Sequence, residues 1–419
     1  MFIFKNLINL DIKKICVLIF CLSLVARLTW FFLKAKNLPI TDPAGGDAIG
    51  YDLLATNLLK YHEYCFEYGK PTAYREPFYP YFLAGIYALF GHSYNIVRII
   101  QILLSCFTCI LIFLLADKLF NRKVALLSGL ISSFYPYLIF YSTAILKETL
   151  FTFLLILNIY FFCKENLNNK FYNTVFAGIF AGLTALTNSV YLLFVIFTFL
   201  FFLISKKFKQ AIILIIIFIL IYSLWIIRNY KVFNTFIWGA NVSGSTLYIH
   251  SVIPYEILAT DKNIKFQEND IYLKKAKNMD EISGTKFLIK TTKEIILANP
   301  GEFLNRTVKR FLKLYRFFPH KDKGYIHSEK LMIITSLCSY GLLFPFFIYG
   351  FFRNLKDFKK YIFLYMTIFT FTFVYSITWA IIRYRIPLEP YIIIFASYGI
   401  MNIFEVIKNA KTQYSYSCL

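Results

Sequence analysis

Long apolar runs alternate with short polar connections along the whole chain. The runs fall at about 15–33, 95–116, 124–142, 147–163, 174–188, 189–204, 211–227, 331–350, 361–382 and 387–404. Several approach the roughly 20 residues a helix needs to cross about 30 Å of hydrocarbon. The pattern predicts an all-α polytopic membrane protein of about ten transmembrane helices. Residues 174–204 form one nearly unbroken apolar tract, about 46 Å long as a single helix at about 1.5 Å per residue. A hinge at Asn188-Ser189 divides it into two short spans. The apolar segment from Phe78 to Gly91 is too short to cross, and helix parity places it in the interface instead.

Flanking charge sets the orientation. With the N-terminus inside, the connections 117–123, 164–173, 205–210 and 351–360 are all cytoplasmic and all basic, as the positive-inside rule requires. Two large segments, 34–94 and 229–330, then lie outside. The expected organisation is an N-terminal membrane region 1–228 containing the catalytic loop 34–94, a partly helical extracytoplasmic region 229–330, and a C-terminal membrane region 331–419 with a short cytoplasmic tail. The basic residues before the first run, with no small-residue cleavage site after it, read as an uncleaved first span.

Composition agrees with this reading. Of 419 residues 58% are hydrophobic and 20% aromatic, and mean hydropathy is +0.58. The net charge of +22 belongs to the cytoplasmic connections, where anionic lipids attract it, so it implies no nucleic-acid partner. Cys106 and Cys109 form a C-x-x-C inside an apolar run with no second pair, which fits packing better than zinc or redox chemistry. The histidines show no ligand spacing.

The charges that interrupt the apolar runs are more informative. In this topology Arg27, Arg98, Lys147, Glu148, Arg228, Arg383, Arg385 and Glu389 all map to non-cytoplasmic helix ends. Ionisable groups at the edge of hydrocarbon are costly, and their convergence points to a polar cavity opening outward. Asp47 stands at or near the start of an amphipathic helix with Tyr51 one turn on. Asp42 reads as a turn residue and Asp52 as a solvated one. Tyr74-Arg75-Glu76-Pro77-Phe78-Tyr79-Pro80 fixes the lead into the interfacial helix. Arg383-Tyr384-Arg385 suits phosphate recognition, because a guanidinium fork binds phosphate oxygens bidentately.

Taken in order, these pieces resemble the GT-C glycosyltransferases, above all the bacterial relatives of dolichyl-phosphate-mannose–protein mannosyltransferases. The series runs Asp47-x-x-x-Tyr51-x-x-x-Ala55, Arg75-x-Pro77-x-Tyr79-Pro80, Phe90-Gly91, Arg98-x-x-Gln101, Tyr135-Pro136, Glu148-Thr149-Leu150 and Gly178-x-x-x-Gly182-Leu183. It continues through Trp225-x-x-Arg228-Asn229 and Asn299-Pro300 to Arg383-Tyr384-Arg385-x-Pro387-x-x-Pro390. It departs from the pattern where Ala48 follows Asp47, where Asn188 stands at a position often arginine, and where Glu76 replaces a common proline.

The resemblance implies transfer of one sugar, with inversion, from a polyprenyl-phosphate donor to a lipid, glycan or protein acceptor of the cell envelope. It implies a multi-pass protein of the cytoplasmic membrane, surrounded by membrane lipids, with its active site facing outside. Asp47 is the implied general base and Glu148 its catalytic companion. Arg383, Arg385 and Arg228 would bind the donor phosphate, and Tyr51, Arg75, Glu76, Tyr79, Lys147 and Tyr384 would line the substrate site. No cofactor is implied with certainty; a divalent cation (Mg2+, Mn2+ or Zn2+) held by Asp47 and Glu148 is the one candidate. The alternatives are a polysaccharide polymerase or ligase, which would not need Asp47, and a lipid-linked-glycan transporter. A transporter should carry ionisable groups through the bilayer, and spans 124–142, 211–227, 331–350 and 361–382 hold none.

Overall fold

The computed structural model describes residues 7–42, 45–168, 170–253, 262–317 and 329–417. Among these the chain is almost entirely helical. Six helices are long and apolar enough to cross a membrane by length and composition. Four of them are α1 (Ile12–Leu33), α4 (Tyr94–Leu119), α7 (Lys147–Asn168) and α10 (Phe208–Phe233). The fifth, Lys330–Asp357, runs through α16 (Glu329–Ser336) and α17 (Leu342–Arg353), and the last contains α20 (Glu389–Ser417). Four shorter apolar helices join them: α3 (Phe78–Phe90), α8 (Phe171–Thr187), α9 (Tyr191–Ile204) and α18 (Ile362–Ile377).

The expected hinge at Asn188 is present. Its backbone is extended (φ −153°, ψ 112°) and closes α8 before α9 begins. The expected span 124–142 is not continuous. It divides into α5 (Arg122–Phe134) and α6 (Pro136–Tyr141), with Tyr135 extended between them. Pro136 is the cause: it cannot donate a helical hydrogen bond, and it disfavours helical backbone at the residue before it.

Small residues set the closest helix contacts. Gly178 and Gly182 lie one turn apart on α8, and side chains there would strike Ile217 and Ile221 of α10. Gly350 of α17 and Gly399 of α20 face each other so closely that each meets the opposite backbone. Membrane helices associate through such small-residue faces, where backbones can approach.

The region between α1 and α4 holds α2 (Gly46–Tyr61), a hairpin of β1 (Cys65–Glu67) and β2 (Lys70–Pro71), and α3. The hairpin turns at Gly69, whose φ is +78°. α3 packs on α2. Asp52, expected to be solvated, instead accepts hydrogen bonds from Tyr87 Oη (2.7 Å) and Tyr94 Oη (3.0 Å) and lies 2.8 Å from His92 Nε2. It pins α2 to the far end of α3.

After α10 come α11 (Val242–Val252), α12 (Lys262–Asn269), α13 (Ile271–Lys277), α14 (Glu281–Ala298) and α15 (Pro300–Leu314). Asp280 caps α14 by accepting from Ile282 N and Ser283 N, and Pro300 opens α15. The short α19 (Ile382–Arg385) then leads into the last long helix.

Candidate functional site

Helix α2 starts at Gly46 behind Gly45, whose φ of +58° favours glycine. Asp47 therefore sits within the first turn, not at the N-cap. It is used elsewhere. Oδ1 accepts from Arg75 Nη2 at 2.9 Å, and Oδ2 accepts from Arg383 Nη2 at 2.6 Å. Arg383 turns its Nε to Glu148 Oε1 at 3.1 Å. Glu148 is 4% exposed at the start of α7, and its second oxygen has no hydrogen-bond partner. Four charges from three distant parts of the chain thus form one chain of contacts, Arg75–Asp47–Arg383–Glu148.

A second ion pair stands alongside. Glu76 Oε2 meets Lys147 Nζ at 2.9 Å, and its Oε1 accepts from Ser189 N (3.1 Å) and Oγ (2.9 Å). The break at Asn188-Ser189 is what exposes that amide to Glu76. Asn188 itself donates to Tyr375 Oη at 3.1 Å. Burial pushes the Glu76 carboxyl up, but Lys147 and the Ser189 amide outweigh it and hold it below the ordinary range.

Asp47 shows the same contest. Burial raises its carboxyl; Arg383 and then Arg75 lower it, and the arginines win, bringing it to about 2. At 31% side-chain exposure it is the most open member of the ionic chain, against 15% for Arg75, 19% for Arg383 and 6% for Glu148. Arg75 also lies over the Tyr51 ring at 4.7 Å, and a Cβ on Gly50 would press on its guanidinium at 3.1 Å. Tyr51 meets Tyr79 edge to face at 4.9 Å.

Other expected site residues lie elsewhere. Tyr79 is fully buried behind Tyr51 and donates to Gln101 Oε1 at 2.8 Å, which ties α3 to α4. Arg385 is also fully buried. It pairs with Glu389 at 2.7 Å, donates to the carbonyls of Leu314 and Arg316, and lies 3.4 Å over the Tyr340 ring. Tyr135 Oη completes the cluster on Glu389 at 2.8 Å. Consecutive alternate residues thus do different work: Arg383 faces Asp47, while Arg385 ties α19 to the end of α15. Arg228 spends its donors on the carbonyls of Thr72 (2.8 Å) and Tyr64 (3.1 Å) and on Asn229 Oδ1. It braces the hairpin and has no part in the Asp47 cluster.

Arg27 and Arg98 do not join the Asp47 cluster either. Arg27 donates to Ser105 Oγ, Cys109 Sγ and the carbonyls of Ser23 and Ser133. Arg98 holds the carbonyls of Leu38, Pro39 and Thr143. Each spends its hydrogen bonds on neutral groups that tie separate parts of the chain together, and the Asp42 carboxylate lies near Arg98. Cys109 packs in this layer, as its place in an apolar run indicated.

Sequence reasoning missed Glu281. Its carboxylate accepts from Ala73 N (2.9 Å), Thr72 Oγ1 (2.5 Å) and Asn241 Nδ2 (2.7 Å). Asn241 N and Val242 N donate to the carbonyls of Ala73 and Tyr74. The second large segment therefore grips the connection after β2 that delivers Arg75 and Glu76. Asp280 followed by Glu281 is a helix-opening pattern, but nothing local distinguishes Glu281 from an ordinary acid of a first turn.

A divalent cation does not fit this cluster. Asp47 and Glu148 are the two carboxylates at hand, and the Arg383 guanidinium stands between them, donating to one and lying against the other. No group of three or more histidine, cysteine or carboxylate side chains with metal-site geometry occurs among the described residues. The arginine supplies the positive charge that the sequence reading left open for a metal.

Comparison with known proteins bears out the resemblance. Residues 70–227 match the family model of dolichyl-phosphate-mannose-protein mannosyltransferase. No curated protein sequence is significantly similar to the chain. Among solved structures, the oligosaccharyltransferase AglB of the archaeon Archaeoglobus fulgidus, in complex with an inhibitory peptide and a dolichol-phosphate, superposes with TM-score 0.56 at 14% identity. That match covers 97% of this chain and 52% of the enzyme. The apo form of the A. fulgidus oligosaccharyltransferase gives TM-score 0.57 at 13% identity with the same coverages. ArnT from Cupriavidus metallidurans bound to undecaprenyl phosphate gives 0.46 at 13% identity, over 91% of this chain and 59% of that one. The chain thus has the GT-C membrane fold and spans about half the length of the oligosaccharyltransferase.

Proposed function

We propose that this GT-C-fold chain is an inverting glycosyltransferase that moves one sugar from a polyprenyl-phosphate carrier to a cell-envelope acceptor on the extracytoplasmic face of the cytoplasmic membrane. One observation carries the reading: Asp47, the most open carboxylate of the cluster, shares Arg383 with Glu148. A nucleophilic substitution at a lipid-linked sugar needs a base for the acceptor hydroxyl and a cation for the departing phosphate. Both are in direct contact here. The dolichol-phosphate in the AglB complex supports a polyprenyl-phosphate donor, as does the family match.

The roles follow from charge. The donor phosphodiester, a monoanion, competes for the Arg383 guanidinium, which can bind two of its oxygens instead of one carboxylate oxygen and meets a growing negative charge as the sugar leaves. Asp47 then keeps Arg75 alone, and its basicity rises from the depressed resting value. The acceptor O–H gives its proton to Asp47 as its oxygen bonds the anomeric carbon. The bond from that carbon to the phosphate oxygen breaks, and the electron pair leaves with the phosphate, where Arg383 stabilises it. Glu148, buried behind Arg383, holds the guanidinium in place while its other partner changes. Arg75, stacked on Tyr51, orients Asp47. Lys147 and Glu76 fix the neighbouring wall, and Tyr384 borders Arg383.

The test is a deletion strain whose envelope glycans and lipids are compared with the parent by mass spectrometry. Loss of one pyranose or furanose residue from an envelope component, restored by the wild-type chain and not by an Asp47→Asn chain, is the expected outcome. Unchanged glycans together with accumulation of no polyprenyl-phosphate sugar would contradict the reading.

A further inference from the structure

An aromatic strip leaves the reaction centre along α19. Arg383 lies over the Tyr384 ring at 5.4 Å. Tyr384 stacks on Tyr375 at 4.8 Å and meets Trp379 edge to face at 6.3 Å. Trp379 in turn packs on the imidazole of His250 at 3.7 Å between ring centres. Trp379 and Tyr384 are both half-buried, not sealed into the core.

The strip ends among polar groups that lack partners. His250 Nε2, Ser251 Oγ and Ser376 Oγ are buried and make no hydrogen bond, though their residues are only 7%, 6% and 6% exposed. Their backbones are by contrast firmly tied. Arg310 donates to the carbonyls of His250 (2.7 Å) and Ser376 (2.7 Å), and Arg306 donates to that of Ser251 (2.8 Å). These arginines hold the end of α11 against the end of α18, face to face. Burial, with Lys313 and Arg310 nearby, lowers the imidazole to about 3, so His250 is neutral at working pH. Leaving three buried polar groups unpaired is costly. A neutral imidazole and two hydroxyls beside an indole and a phenol form the mixture that recognises a sugar ring: apolar faces for its C–H side and short polar groups for its hydroxyls.

We propose that His250, Ser251 and Ser376, with Trp379, form a subsite for a saccharide ring of the acceptor, reached along Tyr384 from the reaction centre. This rests on the glycosyltransferase reading and narrows it: the acceptor is a glycan or glycolipid, recognised through a sugar next to the one that reacts. The donor is already held at Arg383 by its phosphate, so the strip beyond Tyr384 is left to the incoming partner.

Binding can be measured without turnover. In the full chain in nanodiscs, with Trp30, Trp225 and Trp238 replaced by phenylalanine, Trp379 is the sole indole. Titration with a panel of methyl glycosides at millimolar concentrations should give a saturable change in its fluorescence with at least one of them. Ser251→Ala with Ser376→Ala should weaken that binding about tenfold or more, whereas Asp47→Asn should leave it within about twofold. Glycosides that leave Trp379 unmoved, or bind equally to the double alanine chain, would overturn the subsite. A short unglycosylated peptide that perturbs Trp379 when no glycoside does would overturn it in favour of a protein acceptor. None of these outcomes depends on donor consumption, so loss of the subsite and loss of the transferase reading are separately visible.

Discussion

Replacing Arg75 by methionine isolates the electrostatic setting of Asp47. Arg75 donates to one carboxylate oxygen at 2.9 Å and Arg383 to the other at 2.6 Å. Together they overcome burial and bring the carboxyl from 3.8 to about 2. One cation at this range lowers a carboxyl by about 1–3 pH units. Its loss should therefore carry Asp47 to about pH 3–5, and methionine keeps an apolar stem against Tyr51. The sign follows from the role of base: only the ionised form accepts a proton. In the wild type, ionisation is complete at any working pH, so the Asp47 titration leaves no acid limb in kcat/KM above about pH 3. In the variant, kcat/KM should fall by up to tenfold for each pH unit below the raised value, on top of a pH-independent loss. The assay is kcat/KM for a polyprenyl-phosphate sugar from about pH 4 to 8, which reports groups on the free enzyme. Stability gives a second readout. A carboxyl depressed in the folded state adds stability that is fully present above about pH 4 and lost as pH falls toward 2. The full shift corresponds to at most about 2 kcal/mol, and the 31% exposure of Asp47 screens it to less. The fall in unfolding temperature on acidification should shrink in the variant. If Arg75→Met adds no acid limb to kcat/KM and leaves the acid-dependent fall in unfolding temperature as in the wild type, Arg75 does not set the titration of Asp47.

Three further outcomes are expected. Arg385→Met alone should strongly destabilise the chain in detergent, by about 3–5 kcal/mol, because Glu389 is left buried and charged; Arg385→Met with Glu389→Leu should recover much of that loss, and a double variant as unstable as the single one would refute the pairing. Glu281→Gln cannot accept all three hydrogen bonds, so it should lower the unfolding temperature by several degrees and reduce kcat with little change in donor binding, as a loosened Arg75 connection predicts; unaltered kcat would deny it a positioning role. In a chain without its native cysteines, cysteine in place of exposed Lys70 or Lys293 should react with an impermeant thiol reagent on intact cells, and cysteine in place of exposed Lys356 only after permeabilisation; the reverse pattern would turn the site to the cytoplasm.

Much of the helical framework was legible because its signals are local. Apolar length located the membrane segments, and the polar pair Asn188-Ser189 marked a break that extended backbone at Asn188 provides. The break at Tyr135-Pro136 was equally local, but hydropathy averaged over it. The ionic cluster was half legible. Asp47, Arg75, Glu148 and Arg383 stood out as charges where charge is costly, yet so did Arg27, Arg98, Arg228 and Arg385. No local pattern says which arginine meets a carboxylate 336 positions away and which spends its donors on carbonyls. The side a residue takes on a short turn decides this: Arg383 and Arg385 are two apart and face opposite partners. The β1–β2 hairpin is too brief for periodicity to register. Asp52 seemed solvated because its partners, Tyr87, His92 and Tyr94, come from the next two helices and the turn between them, not from its own helix.

The most direct measurement compares Asp47→Asn with the wild type on a purified chain given a polyprenyl-phosphate sugar. Asparagine keeps the shape and its carbonyl oxygen can accept from one of the two arginines, but it cannot take the acceptor proton. Transfer should fall by about 10²–10⁴, with expression and donor binding retained. Asp52→Asn, outside the ionic cluster, should keep donor turnover far above that level even where it loosens the α2–α3 contact. Near-normal transfer by Asp47→Asn would contradict the assignment of Asp47 as the base, and with it the central account of this site.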